Sequence, residues 1–145
     1  MAHLSAYLQV SRTTCKLTLY KRAPKMVTFK PVKTYRVAVG SEEYPTPNGM
    51  YLINSKVHDP AWKKPNSDWV PEEERGQIIP GGDPANPLKA RWMGIINGVG
   101  IHGTDNLDSL GTWASHGCIR MSVPDVKELY DLVPLWSLIR ILGGK

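Results

Sequence analysis

The sequence predicts a mostly β, single-domain protein over residues 1–145, built of mainly antiparallel strands with one short helix and one long irregular loop. Short alternating or apolar-rich segments recur through its first half, each bounded by turn-forming residues, as strands of an antiparallel sheet should be. By contrast, the proline-rich stretch from His58 to Pro87 has no regular period. At this length one core can bury about two thirds of the unfolded surface.

The strands are predicted in chain order from these segments. Four lie in the first half, at residues 7–10, 16–20, 35–39 and 50–53. The stretch 45–49 (Pro-Thr-Pro-Asn-Gly) should turn the chain between the last two, because proline presets φ and Asn-Gly tolerates positive φ. Two further strands, 91–96 and 99–102, flank the Asn97-Gly98 pair, which is a strong hairpin signal. The second of these strands ends at His102.

The helix is predicted to begin near Ser122. This serine can cap it, Pro124 suits its first turn, and Asp125 completes a pattern like a capping box. Apolar residues then recur at the spacing of one buried helical face, at Val126, Leu129, Tyr130 and Val133. Pro134 should end the helix, and residues 138–142 are predicted to form a closing strand.

The long loop at 58–87 has two interpretations. Loops of this length inside a compact domain are usually functional, which favours a lid or a substrate wall carrying aromatic contacts. Alternatively, Trp62 and Trp69 anchor the loop to the body of the protein by packing.

Charge and hydropathy restrict the function classes. The net charge of +5 would suit an anionic partner such as cell-wall polymers, but the basic residues are scattered, which equally describes a solvated surface. No recognition motif accompanies them, so we expect no nucleic acid partner. No window of about 18 apolar residues exists, and the first residues do not form a signal peptide, so no transmembrane segment is predicted.

Two segments, Ile101–Thr104 and Ser115–Met121, concentrate reactive side chains. Together they hold two of the four histidines and one of the two cysteines in the chain. A thiol becomes an effective nucleophile only as a thiolate, which needs a neighbouring base or a positive field. The segments supply one candidate nucleophile, two candidate bases and one cation: Cys118, His102, His116 and Arg120.

The nearer histidine is not automatically the base. His116 is two residues from the cysteine, but Gly117 frees the backbone between them to reorient. His102 lies sixteen residues upstream and can reach the thiol from a neighbouring strand. A backbone carbonyl can then fix the imidazole tautomer as well as a carboxylate does. Gly103 leaves room for a carbonyl or a ligand to approach closely.

The remaining candidates are supporting residues. The amides of Gly117 and Cys118 are candidate oxyanion donors, and His116 shapes the turn or helps bind the substrate carbonyl. We expect Arg120 to hold a substrate carboxylate or to favour the thiolate. Ser115 and Thr104 are expected to support the site by hydrogen bonds. Surface positions are expected for Asp105 and Asp108, no role is assigned to His3 or His58, and Cys15 is expected on a strand as a small apolar residue.

These segments resemble the signature of L,D-transpeptidase catalytic domains of the YkuD type: His102-Gly-Thr, a spacer, then Ser115-His-Gly-Cys-Ile-Arg-Met. The resemblance extends in order over about a hundred residues, through Thr46–Tyr51, His58–Trp62, Ile79–Gly82, Asn86–Leu88 and Arg91–Met93. Two positions depart from it: Lys89 stands where glycine is usual, and Trp136–Leu138 stands where Gly-Thr-Pro is usual.

The resemblance implies a YkuD-like β-sandwich or barrel and a cysteine acyl transferase of peptidoglycan that uses no cofactor or metal. Such an enzyme attacks a tetrapeptide stem before its terminal D-alanine, forms a thioester on Cys118 and transfers the acyl group to an amine. Stem peptides would be donor and acceptor, the location would be extracytoplasmic, in the periplasm or cell wall, and carbapenems would acylate the cysteine. We expect a monomer.

Three alternatives stay open at this point. With water as the acceptor, the same residues would make an L,D-carboxypeptidase or a cysteine peptidase. A cell-wall binding module without catalysis is the second alternative. A zinc-dependent amidase is the third, because His102, His116 and Cys118 are competent ligands, although one His-x-Cys without a second ligand pair is not the usual zinc spacing.

Overall fold

The computed structural model describes residues 5–23 and 25–144. His3 and the other first residues, on which the predicted absence of a signal peptide depends, lie outside the described part. Within it the elements are, in order, β1 (Ala6–Ser11), β2 (Lys16–Lys21), β3 (Lys30–Arg36), β4 (Val39–Gly40), β5 (Gly49–Leu52), β6 (Ser55–His58), β7 (Trp62–Lys63), β8 (Ile78–Ile79), β9 (Lys89–Ile96), β10 (Val99–Thr104), β11 (Trp113–Ser115), β12 (Ile119–Ser122), α1 (Val123–Leu132) and β13 (Leu138–Leu142).

Two sheets make up most of the fold. The larger has the strand order β3-β2-β1-β13-β5, and the smaller has the order β12-β10-β9-β6. Most strand pairs are antiparallel, which confirms the predicted fold class. The parallel pairs are β1 with β13, β4 with β11 and β10 with β12. The last of these brings the two segments rich in reactive side chains next to each other.

The core lies between the sheets and under α1. Alternate residues of β1 and β2 are buried, as period-2 patterning requires. One cluster of buried apolar side chains joins both sheets to the helix, and its members include Leu8, Leu19, Met93, Ile101, Met121, Leu129 and Ile139. No helix in the described part is long and apolar enough to cross a membrane.

The helix begins and ends as its capping signals predict. The Ser122 hydroxyl accepts a hydrogen bond from the Asp125 N–H at 3.2 Å, and the last helical residue is Leu132. Lys56, on β6, donates to the carbonyls of Tyr130 at 2.6 Å and Val133 at 2.7 Å. A cation at the C-terminal carbonyls stabilises a helix, and this contact fixes α1 against the smaller sheet.

Two of the predicted elements are corrected. Cys15 is buried as expected but lies in the turn between β1 and β2, with φ +55°, and not on a strand. The strand predicted at 35–39 is broken, because the Val37 N–H turns to the Cys15 carbonyl at 3.0 Å and Ala38 pairs with Arg120 of β12. This break starts the short strand β4 beside β11.

The stretch 58–87 is more ordered than its sequence suggests. Within it β7 and β8 pair, and a single 3₁₀ turn spans Glu72–Glu74. The buried Asn86 side chain ties the ends of the stretch together, donating to the carbonyls of Pro60 at 2.8 Å and Pro80 at 3.0 Å. The stretch is therefore held as a wall by its own hydrogen bonds.

Candidate active site

The site is built on the parallel pair β10 and β12. In their register, His102 lies beside Arg120, and Cys118 immediately precedes β12. The hairpin turn before β10 has φ +45° at Asn97 and +78° at Gly98, as the Asn-Gly pair predicts. The Cys118 thiol points to this turn, with Sγ 3.6 Å from the Gly98 carbonyl oxygen. Segments sixteen residues apart thus meet at one end of the smaller sheet.

A cavity of about 900 Å³ opens over this end of the sheet. Six of the eight predicted site residues line it: Cys118, His102, His116, Ser115, Arg120 and Thr104. Gly103 and Gly117 are not among its lining residues. The 58–87 stretch also lines the cavity, through residues that include Trp62 and Trp69. The reactive segments and the long stretch thus share one cavity.

His102 is buried, with 5% of its surface exposed. Its Nδ1–H donates to the Gly103 carbonyl at 2.7 Å, which leaves Nε2 as the unprotonated nitrogen. Burial lowers the pKa of His102 to about 4; the Gly103 carbonyl opposes this shift, and the positive charge of Arg120 adds to it. The imidazole is therefore neutral at neutral pH and able to accept a proton.

Gly103 is required by the packing of strands. A Cβ at this position would lie 2.4 Å from the Lys89 carbonyl oxygen and 3.1 Å from Val126. The close approach predicted for a carbonyl or a ligand is thus made by a carbonyl of β9. The β9–β10 register shifts between His102 and Gly103, and Ala90 opposite this shift has φ +70°. Such a bulge next to a site redirects the side chains on either side of it.

The Cys118 thiol is half-buried and protonated at neutral pH. Burial raises the pKa of Cys118, while the Gly100 backbone and the charge of Arg120 oppose the rise. Cys15 is also a free thiol, and burial raises its pKa as well. The site therefore pairs a neutral thiol with a neutral imidazole.

The turn that carries the thiol is clamped by two hydroxyls. Ser115 Oγ donates to the Cys118 carbonyl at 2.5 Å and accepts from the Gly117 N–H at 3.1 Å. Buried Thr46 Oγ1 donates to the Gly117 carbonyl at 2.7 Å and accepts from the Gly40 N–H at 2.8 Å. The Gly117 N–H is thus already engaged within the turn, which leaves the Cys118 N–H as the candidate oxyanion donor.

Replacing Thr46 with valine should destabilise the protein by about 2–4 kcal/mol, because the buried Gly40 N–H and Gly117 carbonyl both lose their hydroxyl partner. Thr46→Ser keeps the hydroxyl and is the matched control. Urea denaturation followed by tryptophan fluorescence measures both variants. Equal stability of Thr46→Val and wild type would show that the clamp contributes nothing.

His116 is exposed, and its ring contacts the rings of two aromatic residues. Its ring lies 3.8 Å from that of Trp69 at an interplanar angle of 8°, and the Tyr44 ring meets it edge-on at 5.1 Å. The Tyr44 hydroxyl donates to the Asp68 carboxylate. Desolvation and the charge of Arg120 lower the pKa of His116. His116 thus joins the turn at residues 115–118 to the 58–87 stretch, and Trp69 makes an aromatic contact of the kind expected of that stretch.

Arg120 is half-buried in the cavity, and the ion pairs of the described residues do not include it. Its desolvation lowers the pKa of the guanidinium, and the Cys118 charge acts in the opposite direction. Thr104 Oγ1 accepts from the Asn106 N–H at 3.1 Å, as expected of a supporting hydroxyl. Asp105 and Asp108 are exposed, so the group that orients His102 is the Gly103 carbonyl.

Alkylation of Cys118 by iodoacetamide should rise only at a pH above that at which free cysteine reacts, because burial raises the pKa of the thiol. Arg120→Met should move the curve further toward alkaline pH, since the guanidinium charge opposes that rise. Peptide mass spectrometry separates Cys118 from Cys15, and Arg140→Met, on the exposed face of β13, is the charge-matched control. A constant rate down to pH 5 would instead indicate a resting thiolate.

Three residues that sequence reasoning missed shape the site: Thr46, Tyr44 and Trp92. The Trp92 ring stacks 6.3 Å from the His102 ring, as their pairing in β9 and β10 requires. Only the hairpin between these strands could have indicated that contact. In the described part of the chain, no group of three or more His, Cys, Asp or Glu side chains is arranged to hold a metal ion.

The chain is similar to a known family and to several curated proteins. The L,D-transpeptidase catalytic domain family, YkuD, matches residues 5–141. A putative L,D-transpeptidase, YqjB of Bacillus subtilis, is 35% identical over 113 residues, covering 74% of this chain and 57% of that protein. The putative L,D-transpeptidase YkuD of Bacillus licheniformis is 35% identical over 135 residues, covering 92% of this chain and 64% of that protein. The chain thus spans about three fifths of the length of these relatives.

A solved structure shows the same fold. L,D-transpeptidase 3 from Mycobacterium tuberculosis, in complex with a faropenem-derived adduct, has a TM-score of 0.72 at 22% identity, covering 94% of this chain and 60% of that one. The likeness places the sandwich and its helix in a known architecture. With the family matched over nearly the whole chain, this chain belongs to the L,D-transpeptidase catalytic domain family of the YkuD type.

Proposed function

We propose that the chain is a cysteine acyl transferase of peptidoglycan that cleaves a tetrapeptide stem before its terminal D-alanine and passes the acyl group to an amine. The observation that carries the proposal is the pairing in one cavity of the Cys118 thiol with a neutral, oriented His102. Peptidoglycan lies outside the cytoplasmic membrane, so we infer an extracytoplasmic site of action.

The first step forms a thioester. As Cys118 Sγ attacks the stem carbonyl carbon, the thiol proton passes to Nε2 of His102, which is free because Nδ1–H is held by Gly103. The Cys118 N–H stabilises the oxyanion, with the turn held rigid by Ser115 and Thr46. His102 then returns the proton to the departing D-alanine nitrogen as the carbon–nitrogen bond breaks.

The second step resolves the thioester. An acceptor amine attacks the acyl carbon, and His102 takes a proton from that amine and passes it to the Cys118 sulfur as the carbon–sulfur bond breaks. Water in place of the amine would give a tripeptide, which is the carboxypeptidase outcome. Arg120 carries a positive charge in the same cavity, where no ion pair among the described residues includes it, and is suited to hold a substrate carboxylate near the reacting bond.

Mass spectrometry of products from a purified muropeptide tetrapeptide tests the proposal, with Cys118→Ala as the inactive control. A cross-linked dimer that has lost one alanine, absent with the variant, is the expected result. Formation of the tripeptide alone would indicate a carboxypeptidase and not a transferase. Loss of activity on addition of a chelator, together with zinc bound in stoichiometric amount, would indicate a metal-dependent amidase.

An intact-mass experiment provides a second test. A solved L,D-transpeptidase carries a faropenem-derived adduct, so we expect a carbapenem or faropenem to add covalently to Cys118 here. The mass of wild type should increase, and that of Cys118→Ala should not. An unchanged wild-type mass, together with no product from the muropeptide, would leave a non-catalytic wall-binding module as the better account.

A further inference from the structure

We propose that Lys89 binds a free side carboxylate of the donor stem, so that the chain prefers carboxylate stems to amidated ones. This inference rests on the proposed function, because it names the substrate form that the same cavity selects. It concerns a residue outside the segments that carry the chemistry.

Lys89 is the first residue of β9 and pairs with Gly103, one residue beyond His102. Its side chain lines the active-site cavity together with His102 and Cys118. The side chain of Lys89 is 22% exposed. A cation is therefore built into the cavity wall beside the proposed base and within the space that the stem must occupy.

The ammonium is held in place but not saturated. Nζ donates to the Pro84 carbonyl at 3.2 Å and lies 3.6 Å from a carboxylate oxygen of Asp105. A lysine ammonium has three donors, and these two contacts leave at least one of them for a ligand. The backbone contact to Pro84 positions the charge before substrate arrives, which reduces the ordering that binding requires.

The competing carboxylate is a weak partner. The Asp105 side chain is 75% exposed and its contact with Lys89 is long. Ion pairs with so exposed a partner contribute little to stability. A stem carboxylate entering the cavity can therefore take the free donor of Lys89 or displace Asp105 to solvent.

The charge of the cavity favours an anionic ligand. Among the described residues that line it, Lys63, Lys89 and Arg120 are cationic, and Asp105 is the single carboxylate. Arg120 lies next to the thiol on β12, and Lys63 is exposed on β7. Lys89 is thus the cation positioned to bind a stem carboxylate away from the thiol. An amide in place of that carboxylate would lose the charge-assisted hydrogen bond.

Paired donor peptides test the inference, identical except that one carries free side carboxylates and the other has them amidated. For wild type, kcat/KM should favour the carboxylate donor by about tenfold or more, as a charged hydrogen bond in a partly buried site provides. Lys89→Met, which keeps the length of the side chain, should reduce this preference to within about twofold, mainly through KM. Lys127→Met, on the exposed face of α1, removes the same charge and should keep the preference.

Binding to the Cys118→Ala protein, measured by calorimetry with the same two peptides, separates this inference from the proposed reaction. A preference for binding the carboxylate peptide that disappears in the Cys118→Ala, Lys89→Met double variant supports the inference. This holds even if wild type turns over neither peptide, because the lack of turnover would overturn only the proposed reaction. Equal binding of both peptides, a preference that survives Lys89→Met, or no binding of either peptide would overturn the role of Lys89.

Discussion

Replacing His102 with asparagine should slow the acylation of Cys118 by about 10²–10⁴-fold at neutral pH, the usual contribution of a general base. The asparagine amide can still donate to the Gly103 carbonyl, as Nδ1–H does, but it offers no basic nitrogen in place of Nε2. The fold should persist, since the hydrogen bond that orients the side chain is kept. Single-turnover acylation by the β-lactam probe, followed by intact mass, measures the rate.

The same substitution at the other histidines makes the result specific. His116→Asn should cost about tenfold or less, because the exposed ring of His116 stacks on Trp69 and acts through the shape of the turn. His58→Asn, on the exposed end of β6 and in contact with Tyr130, should leave the rate unchanged. If His116→Asn abolished acylation while His102→Asn retained most of it, the assignment of the base would be reversed.

Local sequence signals were sufficient to predict the structure wherever it depends on a few neighbouring residues. The Asn97-Gly98 turn and the cap at Ser122 were predicted correctly because both depend on backbone preferences within about four residues. The turn leads into β10, which carries His102, and the cap follows β12, which begins after Cys118. These two strands are adjacent. The concentration of histidine, cysteine and arginine in Ile101–Thr104 and Ser115–Met121 indicates the reactive segments from sequence alone.

Contacts between distant segments could not be predicted in this way. Thr46 clamps Gly117 across 71 residues, and Lys56 caps the helix carbonyls across more than 70. Residues 35–39 alternate like one strand, yet their hydrogen bonds go to Cys15 and Arg120, which lie on different segments. Tertiary partners of this kind override local pattern, and nothing within a short window indicates them.

The stretch 58–87 shows the same limit at a functional surface. Its sequence lacks a period because β7 and β8 are two residues each, and its order comes from a buried asparagine side chain instead. The stretch was interpreted either as a substrate wall or as a loop anchored by tryptophan packing, and each interpretation describes part of the structure. Trp69 packs against the body of the protein, and the surface that it packs on is His116 in the cavity wall.

Acid should destabilise the wild-type protein more than the His102→Asn variant, by about 3 kcal/mol between pH 7 and pH 4. The pKa of His102 falls from 6.5 to about 4 on folding, because burial disfavours the imidazolium. Above pH 6.5 the imidazole is neutral in both states and adds no pH dependence. As the pH falls toward 4 the unfolded chain takes up a proton that the folded protein excludes, so stability is lost across this range.

Urea denaturation at pH 7, 6, 5 and 4 measures the difference. Carboxylates and His116 titrate in both proteins, so their contributions cancel when the two curves are subtracted, and the slope that remains belongs to His102. His58→Asn, which makes the same substitution at an exposed position, is the matched control. Parallel curves for wild type and His102→Asn would mean that folding leaves the pKa of His102 unchanged, so that burial does not exclude the proton from the imidazole.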